Sequence, residues 1–138
     1  MRIEFFVPGK PVGQGSKRYL GKGVLVETAK GLKAWRTDIR STAMQYFPAP
    51  IEGPVTLCLT FSYNRPKSHR NAAGGLRKGY CVEKVSAPDL DKLARAVGDA
   101  LTGVAYRDDA QIICLRLMKG YDLPIVPNGE GVHITISC

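Results

Sequence analysis

The sequence predicts an α/β (α+β) domain in which two helices pack on one face of a small mixed, mostly antiparallel sheet. Three observations support this fold class. Residues 55–63 alternate between apolar and polar side chains, two other segments carry apolar residues at helical spacing, and the elements follow the order strand, helix, strand, basic loop, helix, strand, strand. With 138 residues and 44% hydrophobic content, the chain has the size of one globular domain, and we expect a single domain over residues 1–138.

The N-terminal part is predicted to contain a strand, a basic stretch and a helix. Residues 3–7 are a short apolar run that ends at Pro8 and Gly9, which predicts a strand followed by a turn. Residues 13–18 read Gly-Gln-Gly-Ser-Lys-Arg, a flexible basic stretch that either contacts a phosphate or is an ordinary loop. Within residues 28–47 the spacing predicts the first helix and gives Trp35 a core position, on a stripe formed by Leu32, Trp35, Ile39, Ala43 and Tyr46.

A half-buried strand and a basic loop are predicted next. The alternation over residues 55–63 is typical of a strand with one buried face. Residues 64–84 lose all periodicity and predict a mobile basic loop, ordered by contact with a nucleic-acid backbone. His69 has no nearby Cys or His and is predicted to be a surface residue.

The C-terminal part is predicted to contain a helix and two strands. Residues 90–101 carry an apolar helical stripe, and Gly103 is a natural stop just beyond it. Residues 111–119 predict a strongly apolar strand, and residues 132–137 predict a final alternating strand. The prolines and glycines of residues 122–131 favour a long hairpin loop between these two strands.

The charge distribution separates a basic half from an acidic segment. The net charge is +8, and residues 1–84 hold 15 Lys and Arg against 5 Asp and Glu, whereas residues 85–138 hold 5 against 7. The excess of Lys and Arg indicates either a polyanionic partner or a surface that is merely well solvated. The four cysteines lie far apart and are expected to be reduced thiols. Because no segment approaches the roughly 20 apolar residues of a membrane span, and none has the pattern of a signal peptide, we expect a cytoplasmic protein without membrane contact.

Acidic residues crowd into one short part of the chain. Five of the 12 lie between residues 89 and 109, with Asp89 and Asp91 at a helix start and Asp108 and Asp109 directly before a strand. If that helix start packs beside that strand start, Asp89 and Asp91 come near Asp109. Such carboxylates repel one another unless a cation joins them, and oxygen ligands suit Mg²⁺. The structural alternative is that Asp89 only caps the helix and the Asp108-Asp109 pair only fills a turn.

Two segments resemble the signature of RusA-family endodeoxyribonucleases. Residues 88–103 read Pro-Asp-Leu-Asp-Lys-Leu-Ala-Arg-Ala-Val-Gly-Asp-Ala-Leu-Thr-Gly, and the family has Pro-Asp-x-Asp-Asn-x-x-Lys-Ala followed by Asp-Ala-Leu-x-Gly. Residues 106–112 read Tyr-Arg-Asp-Asp-Ala-Gln-Ile, and the family has Asp-Asp-x-Gln. Residues 7–18 are similar to the N-terminal segment of phage and prophage members.

The resemblance implies a homodimeric, Mg²⁺-dependent enzyme that resolves four-way Holliday junctions by paired symmetric cuts, with Mn²⁺ able to substitute and no small-molecule cofactor. It implies that Asp89, Asp91 and Asp109 hold the metal, with Asp108 as an auxiliary ligand. Lys92 stands where the family usually has Asn. Arg95 stands where the family usually has a catalytic lysine, so it keeps the charge but, as a guanidinium, does not donate a proton near neutral pH.

Further residues are expected to support this chemistry. Asp99 lies one helical turn from Arg95 and is expected to orient it. Backbone phosphates are expected to be bound by Lys10, Lys17, Arg18, Arg65, Lys67, Arg70, Arg77, Lys78 and Lys92. Two alternative functions remain open from the sequence: a metal-dependent nuclease of other branched or single-stranded nucleic acid, and a non-enzymatic DNA-binding module.

Overall fold

A computed structural model of the chain describes residues 1–15, 30–124 and 129–138, together with the backbone of residues 17–19 and 25–27. In these parts the strands are β1 (Arg2–Pro8), β2 (Lys17–Tyr19), β3 (Leu25–Glu27), β4 (Val55–Tyr63), β5 (Ile112–Tyr121) and β6 (Gly131–Ser137). The α-helices are α1 (Leu32–Met44) and α2 (Leu90–Leu101). The bounds predicted for β4 and α2 are confirmed, and the other predicted elements differ at their ends.

Four strands form one mixed sheet in the order β1-β6-β4-β5. β6 pairs antiparallel with β1 and with β4, whereas β4 and β5 run parallel. The predicted mixed, mostly antiparallel sheet is therefore confirmed. β2 and β3 pair with each other in a separate ladder, which the interpretation of residues 13–18 as a loop did not anticipate.

The predicted hairpin between the last two strands is wrong. β6 lies between β1 and β4, and β5 pairs with β4 at the edge of the sheet. The burial of the two strands explains this order. β6 is almost entirely buried, which requires a neighbour on each side, whereas most side chains of β5 are exposed or half-buried.

Both helices contribute to one core on the face of the sheet that carries Leu57, Leu59 and Phe61. α1 buries the predicted residues Leu32, Trp35, Ile39 and Ala43, and α2 buries Leu93, Ala94, Ala96, Val97, Ala100 and Leu101. Trp35 is 3% exposed, so its predicted role as a core anchor is confirmed. α2 ends where expected, because Gly103 takes the left-handed conformation, with φ of 86°.

Residues 64–84 fold into a compact loop. A short 3-10 helix spans Lys67–His69, and the side-chain oxygen of Asn71 accepts hydrogen bonds from the backbone N–H groups of Ala73 and Gly75, each at 3.0 Å. Arg77 N–H donates to the His69 carbonyl at 2.8 Å, which closes the loop on itself. The mobility of this loop stays a prediction.

Within the described ranges, neither helix has the length and apolar character that crossing a membrane requires.

Candidate active site

α2 runs antiparallel to β5. The Nζ of Lys119, near the end of β5, donates to the carbonyl oxygens of Ser86 at 2.9 Å and Pro88 at 2.8 Å, directly before α2 begins. At the other end of α2, the hydroxyl of Tyr106 donates to the Gly98 carbonyl at 3.1 Å, shortly before β5 begins. This direction is what a parallel β4-α2-β5 crossover requires.

A groove of about 480 Å³ lies between α2 and β5. Four of the charged residues singled out in the sequence line it: Asp91, Arg95, Asp99 and Asp109. The rest of its wall is mainly apolar and is formed by Leu57, Ala94, Gly98, Ile112, Ile113, Cys114, Leu115 and Leu117. The chain thus places one polar edge of α2 and the start of β5 on a single open groove.

The carboxylates lie toward opposite ends of this groove. Asp91 belongs to the first turn of α2, on the side of Lys119, whereas Asp109 precedes β5 on the side of Gly98. Asp99 lies eight positions after Asp91 in the helix, a rise of about 12 Å. Among the described residues, no three acidic, His or Cys side chains come together as a metal site. The expectation that the helix start packs beside the strand start is therefore wrong within one chain, because a crossover helix begins near the end of the following strand.

Asp89 occupies the N-cap position of α2, but its side chain makes no capping hydrogen bond. The carboxylate is instead 3.6 Å from the Nζ of Lys92, and the Asp89 side chain is 65% exposed. The alternative in which Asp89 is only a helix cap therefore has no support in its contacts. Its oxygens remain accessible to a ligand.

Lys92 also packs beneath the N-terminal segment. Gln14 N–H donates to the Lys92 carbonyl at 2.9 Å. A Cβ added to Gly13 would lie 3.1 Å from the Cβ of Pro88 and 3.3 Å from that of Lys92. Glycine at this position allows the segment to lie directly over the start of α2.

The Asp108-Asp109 pair stands on a tightly held turn. Asp108 accepts a hydrogen bond from Ala110 N–H at 2.8 Å. The side-chain oxygen of Gln111 accepts from the N–H groups of Arg107 at 2.9 Å and Asp108 at 3.0 Å. The Gln111 amide nitrogen in turn donates to backbone carbonyls of Ile51 and Gly53. Gln111 therefore fixes the turn that carries Asp109.

The two neighbouring carboxyl groups have opposite pKa shifts. The backbone N–H of Ala110 and a hydrogen bond from the Asp109 side chain lower the pKa of Asp108. The hydrogen bond with Asp108, partial burial, and the charges of Asp108 and Asp99 raise the pKa of Asp109. Asp109 thus lies in a region crowded with negative charge, where a cation would be favoured. The auxiliary metal role of Asp108 stays a prediction, since its carboxylate already caps this turn.

Arg95 and Asp99 do not form the expected pair. The Asp99 carboxylate accepts a hydrogen bond from the Gln14 amide, and the Gln14 oxygen accepts from Arg36 at 2.9 Å. Arg95 is exposed on the groove and, within the part of the chain that the structure describes, has no hydrogen-bond or ion-pair partner. Its guanidinium is therefore available to an external anion.

Arg65 stabilises the basic loop from inside. Its guanidinium stacks over the Tyr121 ring at 4.2 Å and donates to the Cys81 carbonyl at 3.1 Å and to the Val82 carbonyl. His69 lies beside it, with ring stacking on Tyr80 at 4.2 Å. Partial burial, with the charges of Arg65 and Lys84, lowers the pKa of His69.

The cations predicted to bind DNA therefore fall into different groups. Lys67 and Lys78 are exposed and have no partner among the described side chains. Arg70 and Arg77 donate to backbone carbonyls of the loop at 3.0 and 3.2 Å, and Lys10 lines a cavity beside Pro88. The side chains of Lys17 and Arg18 lie outside the described residues.

The residues of this region fit a divalent cation in their chemistry. Asp89, Asp91 and Asp109 are exposed carboxylates, which are the hard oxygen donors that Mg²⁺ and Mn²⁺ take. Among the described residues, the Asp89 carboxylate is paired only with the exposed Lys92, and Asp109 lies beside carboxylates that raise its pKa, so both groups remain accessible to a cation. The donor set is suitable, but one chain does not bring it together.

Sequence reasoning missed three contributors. Lys119 belongs to an apolar strand and lies outside the motif, so nothing in the pattern connected it to Asp89. The bond between Gln14 and Asp99 joins residues 85 positions apart. A bulge leaves Ile113 unpaired between Ile112 and Cys114, and it is 73% exposed on the groove.

Comparison with known proteins gives two matches. A family described as "Endodeoxyribonuclease RusA" matches residues 8–137. A protein of Bacillus subtilis (strain 168) named "Uncharacterized protein YqaN" is 32% identical over 125 residues, which are 86% of this chain and 87% of that protein.

Proposed function

Since the chain belongs to the RusA family of endodeoxyribonucleases and is thus a Holliday junction resolving endonuclease, we propose that it cuts four-way junctions by Mg²⁺-dependent, paired symmetric hydrolysis. The observation that carries this proposal is the groove on which Asp91, Arg95 and Asp109 lie together. The groove is open to a large substrate, and the chain that surrounds it has a net charge of +8. A polyanion would therefore be attracted to it.

We propose that Asp89, Asp91 and Asp109 of a homodimer hold the metal, with Mn²⁺ able to replace Mg²⁺. When bound, the metal would supply positive charge to the scissile phosphate and lower the pKa of the attacking water. Asp89 and Asp91 stand on a rigid helix start, and Asp109 stands on the turn that Gln111 fixes. These supports limit how far each carboxylate moves when the substrate binds.

Arg95 contributes charge rather than a proton. Its guanidinium faces the groove, and among described residues no carboxylate is bound to it. A guanidinium binds phosphate oxygens through two parallel hydrogen bonds and stays protonated near neutral pH. Arg95 would therefore orient the phosphate and stabilise the negative charge that develops on it.

The DNA arms would lie on the basic loop. Lys67 and Lys78 project from residues 64–84, while Arg65, Arg70 and Arg77 hold the loop together through its backbone carbonyls. This division supports Lys67 and Lys78 as the phosphate contacts and the three arginines as the framework that presents them. Lys92, next to Asp89, and Lys10 would contact the backbone nearest the cleavage site.

A homodimer is the simplest architecture for paired cuts, because a symmetric junction needs two equivalent sites. The edge strand β5 supports this assembly. Three of its large apolar side chains are exposed, with Ile113 at 73%, Leu115 at 47% and Met118 at 50%. An unpaired edge with such side chains is suited to protein association.

The proposal is tested with a labelled four-way junction and a linear duplex of the same sequences. We expect paired nicks at symmetric positions in the junction with Mg²⁺ or Mn²⁺, and none in EDTA. Cutting of the linear duplex at the same rate would remove junction selectivity. Binding of the junction without cleavage under every condition would remove the catalytic proposal.

A further inference from the structure

A second cavity lies beside the start of α2, outside the groove that carries Asp91 and Asp109. Its volume is about 300 Å³, at the lower end of the range found for small-molecule sites. The cavity forms where the last residues of β4 and β5 meet the basic loop of residues 64–84. Its lining combines aromatic rings and prolines with a few charged and polar groups. Such a lining suits a single planar group that also carries hydrogen-bonding edges.

We propose that this cavity takes one unstacked nucleobase of the bound DNA, next to the phosphate that is cut, while Lys10 and Lys84 contact the phosphate of the same nucleotide. This inference rests on the proposed junction-cleaving function and adds a binding site that the metal chemistry does not require. A four-way junction supplies such a base, because extrusion costs least where stacking and pairing are already interrupted.

Aromatic side chains form walls that fit the flat faces of a base. Tyr63 and Tyr121 end the neighbouring parallel strands β4 and β5 and are paired in register, so both rings lie on the same face of the sheet. The His69 ring stands edge-on to Tyr121, with 5.6 Å between ring centres. Stacking on such rings accepts every base, since every base has a π-face. The walls therefore favour a base without selecting its identity.

The polar groups of the cavity favour a base edge over a phosphate alone. The Glu130 carboxylate lines the cavity and accepts a hydrogen bond from the Asn64 N–H at 3.1 Å through Oε2. Its Oε1 has no hydrogen-bond partner among the residues that the structure describes. A carboxylate repels a phosphate, whereas it accepts hydrogen bonds from the amino and imino groups of a base. The Asn64 side chain, which also lines the cavity, can both donate and accept.

His69 adds a donor whose position is fixed by Arg65. The two side chains are joined at 3.2 Å between the Arg65 guanidinium and His69 Nδ1. Because a guanidinium only donates, Nδ1 accepts, and the proton of the neutral ring lies on Nε2. This Nε2–H has no partner within the described ranges, so it is available to an acceptor on the base.

Lys84 places a cation at the aromatic wall. Its Nζ lies 4.6 Å from the centre of the Tyr63 ring and 5.3 Å from that of the Tyr121 ring. The same Nζ donates to the Ser86 hydroxyl at 2.9 Å. Lys10 lines the cavity as well and is exposed. Two cations beside one base-sized cavity are suited to the phosphate that a base carries with it.

The cavity is held open by contacts that do not involve a ligand. The Tyr63 hydroxyl donates to the Pro11 carbonyl at 2.9 Å, and the Asp122 N–H donates to the Tyr63 carbonyl at 2.8 Å. The Arg65 guanidinium lies over the Tyr121 ring at 4.2 Å. A site that is formed in advance loses little conformational freedom when its ligand binds.

The position of the cavity connects it to the proposed metal ligands. Ser86 and Pro88 line it, and the Lys119 ammonium holds the carbonyl oxygens of both residues. Asp89 follows Pro88 directly. A base in the cavity therefore belongs to a nucleotide beside the phosphate at Asp89, and its insertion would fix which phosphate of the strand reaches the metal.

Photochemical crosslinking of the wild-type protein tests the site directly. A four-way junction carries 5-iodouracil in turn at each position that flanks the branch point, and EDTA prevents cleavage. We expect crosslinks to Tyr63, His69 or Tyr121 from one of these positions, and none from a linear duplex with the same substitution. Crosslinks confined to residues outside the cavity would overturn the inference.

Ala87→Phe, with Ala73→Phe as the matched control, tests the cavity by filling it. Both alanines are exposed, and of the two only Ala87 lines the cavity. Ala87→Phe should lower the crosslinking yield at least 10-fold and weaken junction binding in EDTA by about 10-fold, the size expected for loss of one stacked base. Ala73→Phe should change neither quantity. Thermal unfolding verifies that both variants are folded, and unchanged crosslinking in folded Ala87→Phe would contradict the inference.

Two further outcomes separate this site from other readings. Titration with a free deoxynucleoside monophosphate should show far weaker binding than the junction does, and binding of equal strength would assign the cavity to a free nucleotide and overturn the inference. If the wild type crosslinks through the cavity but does not cut the junction with Mg²⁺, the proposed function fails and the base site stands. Paired cutting without any crosslink to the cavity would leave the function and remove the base site.

Discussion

Lys119 donates a hydrogen bond to the carbonyl oxygen of Pro88 at 2.8 Å, so β5 holds the residue that directly precedes Asp89. Because the peptide unit is planar, fixing the Pro88 carbonyl also fixes the Cα of Asp89. The opposite end of α2 is held in the same way, since Arg40 donates to the carbonyls of Ala100 at 3.4 Å and Thr102 at 3.0 Å. Two cations thus anchor the two ends of one helix.

The first prediction compares Lys119→Met with Arg40→Met. Each substitution removes hydrogen bonds from a cation to backbone carbonyls, and each should lower the free energy of unfolding by about 1–3 kcal/mol. Lys119→Met should also raise the Mg²⁺ concentration for half-maximal cleavage by about 10-fold or more, because it frees the segment that carries Asp89, a proposed metal ligand. The measurements are thermal unfolding and metal titration of the cleavage rate.

Arg40→Met is the control for stability in this comparison, since it acts far from Asp89. Its metal dependence should equal that of the wild type. Lys119→Arg should recover part of the loss by donating to the same carbonyls. Equal metal dependence in Lys119→Met and the wild type would show that Lys119 has only a structural role.

The sequence predicted most of the fold because its local signals agreed with packing. The stripe of α2 and the left-handed Gly103 defined that helix to the residue, and strict alternation defined β4. The position of β5 was not predictable in this way. Its apolar run indicates burial, yet Ile113 and Met118 are exposed at a sheet edge, and an apolar run does not distinguish an edge strand from a central one.

For the site, the motif predicted the residues but not their separation. Spacing along the chain shows that Asp89 and Asp91 start a helix and that Asp109 precedes a strand. It does not show that the helix runs antiparallel to that strand, which depends on β4 and β5 being parallel neighbours. Lys119 and Gln14 act through contacts distant in sequence, and no local pattern reveals such contacts.

The second prediction concerns Asp91→Asn. Loss of the negative charge of this side chain should reduce the cleavage rate by at least about 100-fold. Even the substitution of residues that only support metal ligands typically lowers metal affinity or activity by about 10- to 100-fold. Junction binding should be equal to or stronger than that of the wild type, because a negative charge near DNA is removed. Gel-shift titration in Ca²⁺ or EDTA measures binding, and single-turnover cleavage measures chemistry. Full activity in this variant would remove Asp91 from the metal site.

The third prediction concerns Arg95, which lies on the groove without a partner among the described side chains. Arg95→Ala should slow cleavage by about 10²- to 10³-fold, as expected for one charged donor to a developing negative charge. Arg95→Lys should retain more activity than Arg95→Ala, because it restores the charge but not the bidentate geometry. Single-turnover rates at saturating Mg²⁺ separate the variants, and an unchanged rate in Arg95→Ala would make Arg95 a surface cation only.

The fourth prediction is a pH dependence of the basic loop. His69 lies beside Arg65 and Lys84, and partial burial together with these charges lowers its pKa below the ordinary value of about 6.5. At pH values between the lowered pKa and the ordinary pKa, the His69 ring binds more protons in the opened loop than in the closed loop. The contribution of His69 to the stability of the closed loop is therefore fully present above about pH 6.5, and it is lost as the pH falls through the lowered pKa.

Hydrogen exchange measures this loss. The Arg77 amide bonds to the His69 carbonyl, and its protection factor should fall between pH 7 and pH 5, after correction for the intrinsic exchange rate. The Leu93 amide, bonded to the Asp89 carbonyl at 3.1 Å in α2, is the internal control and should change less. His69→Gln carries no titrating ring and should abolish the difference. Persistence of the same pH effect in His69→Gln would assign it to another group.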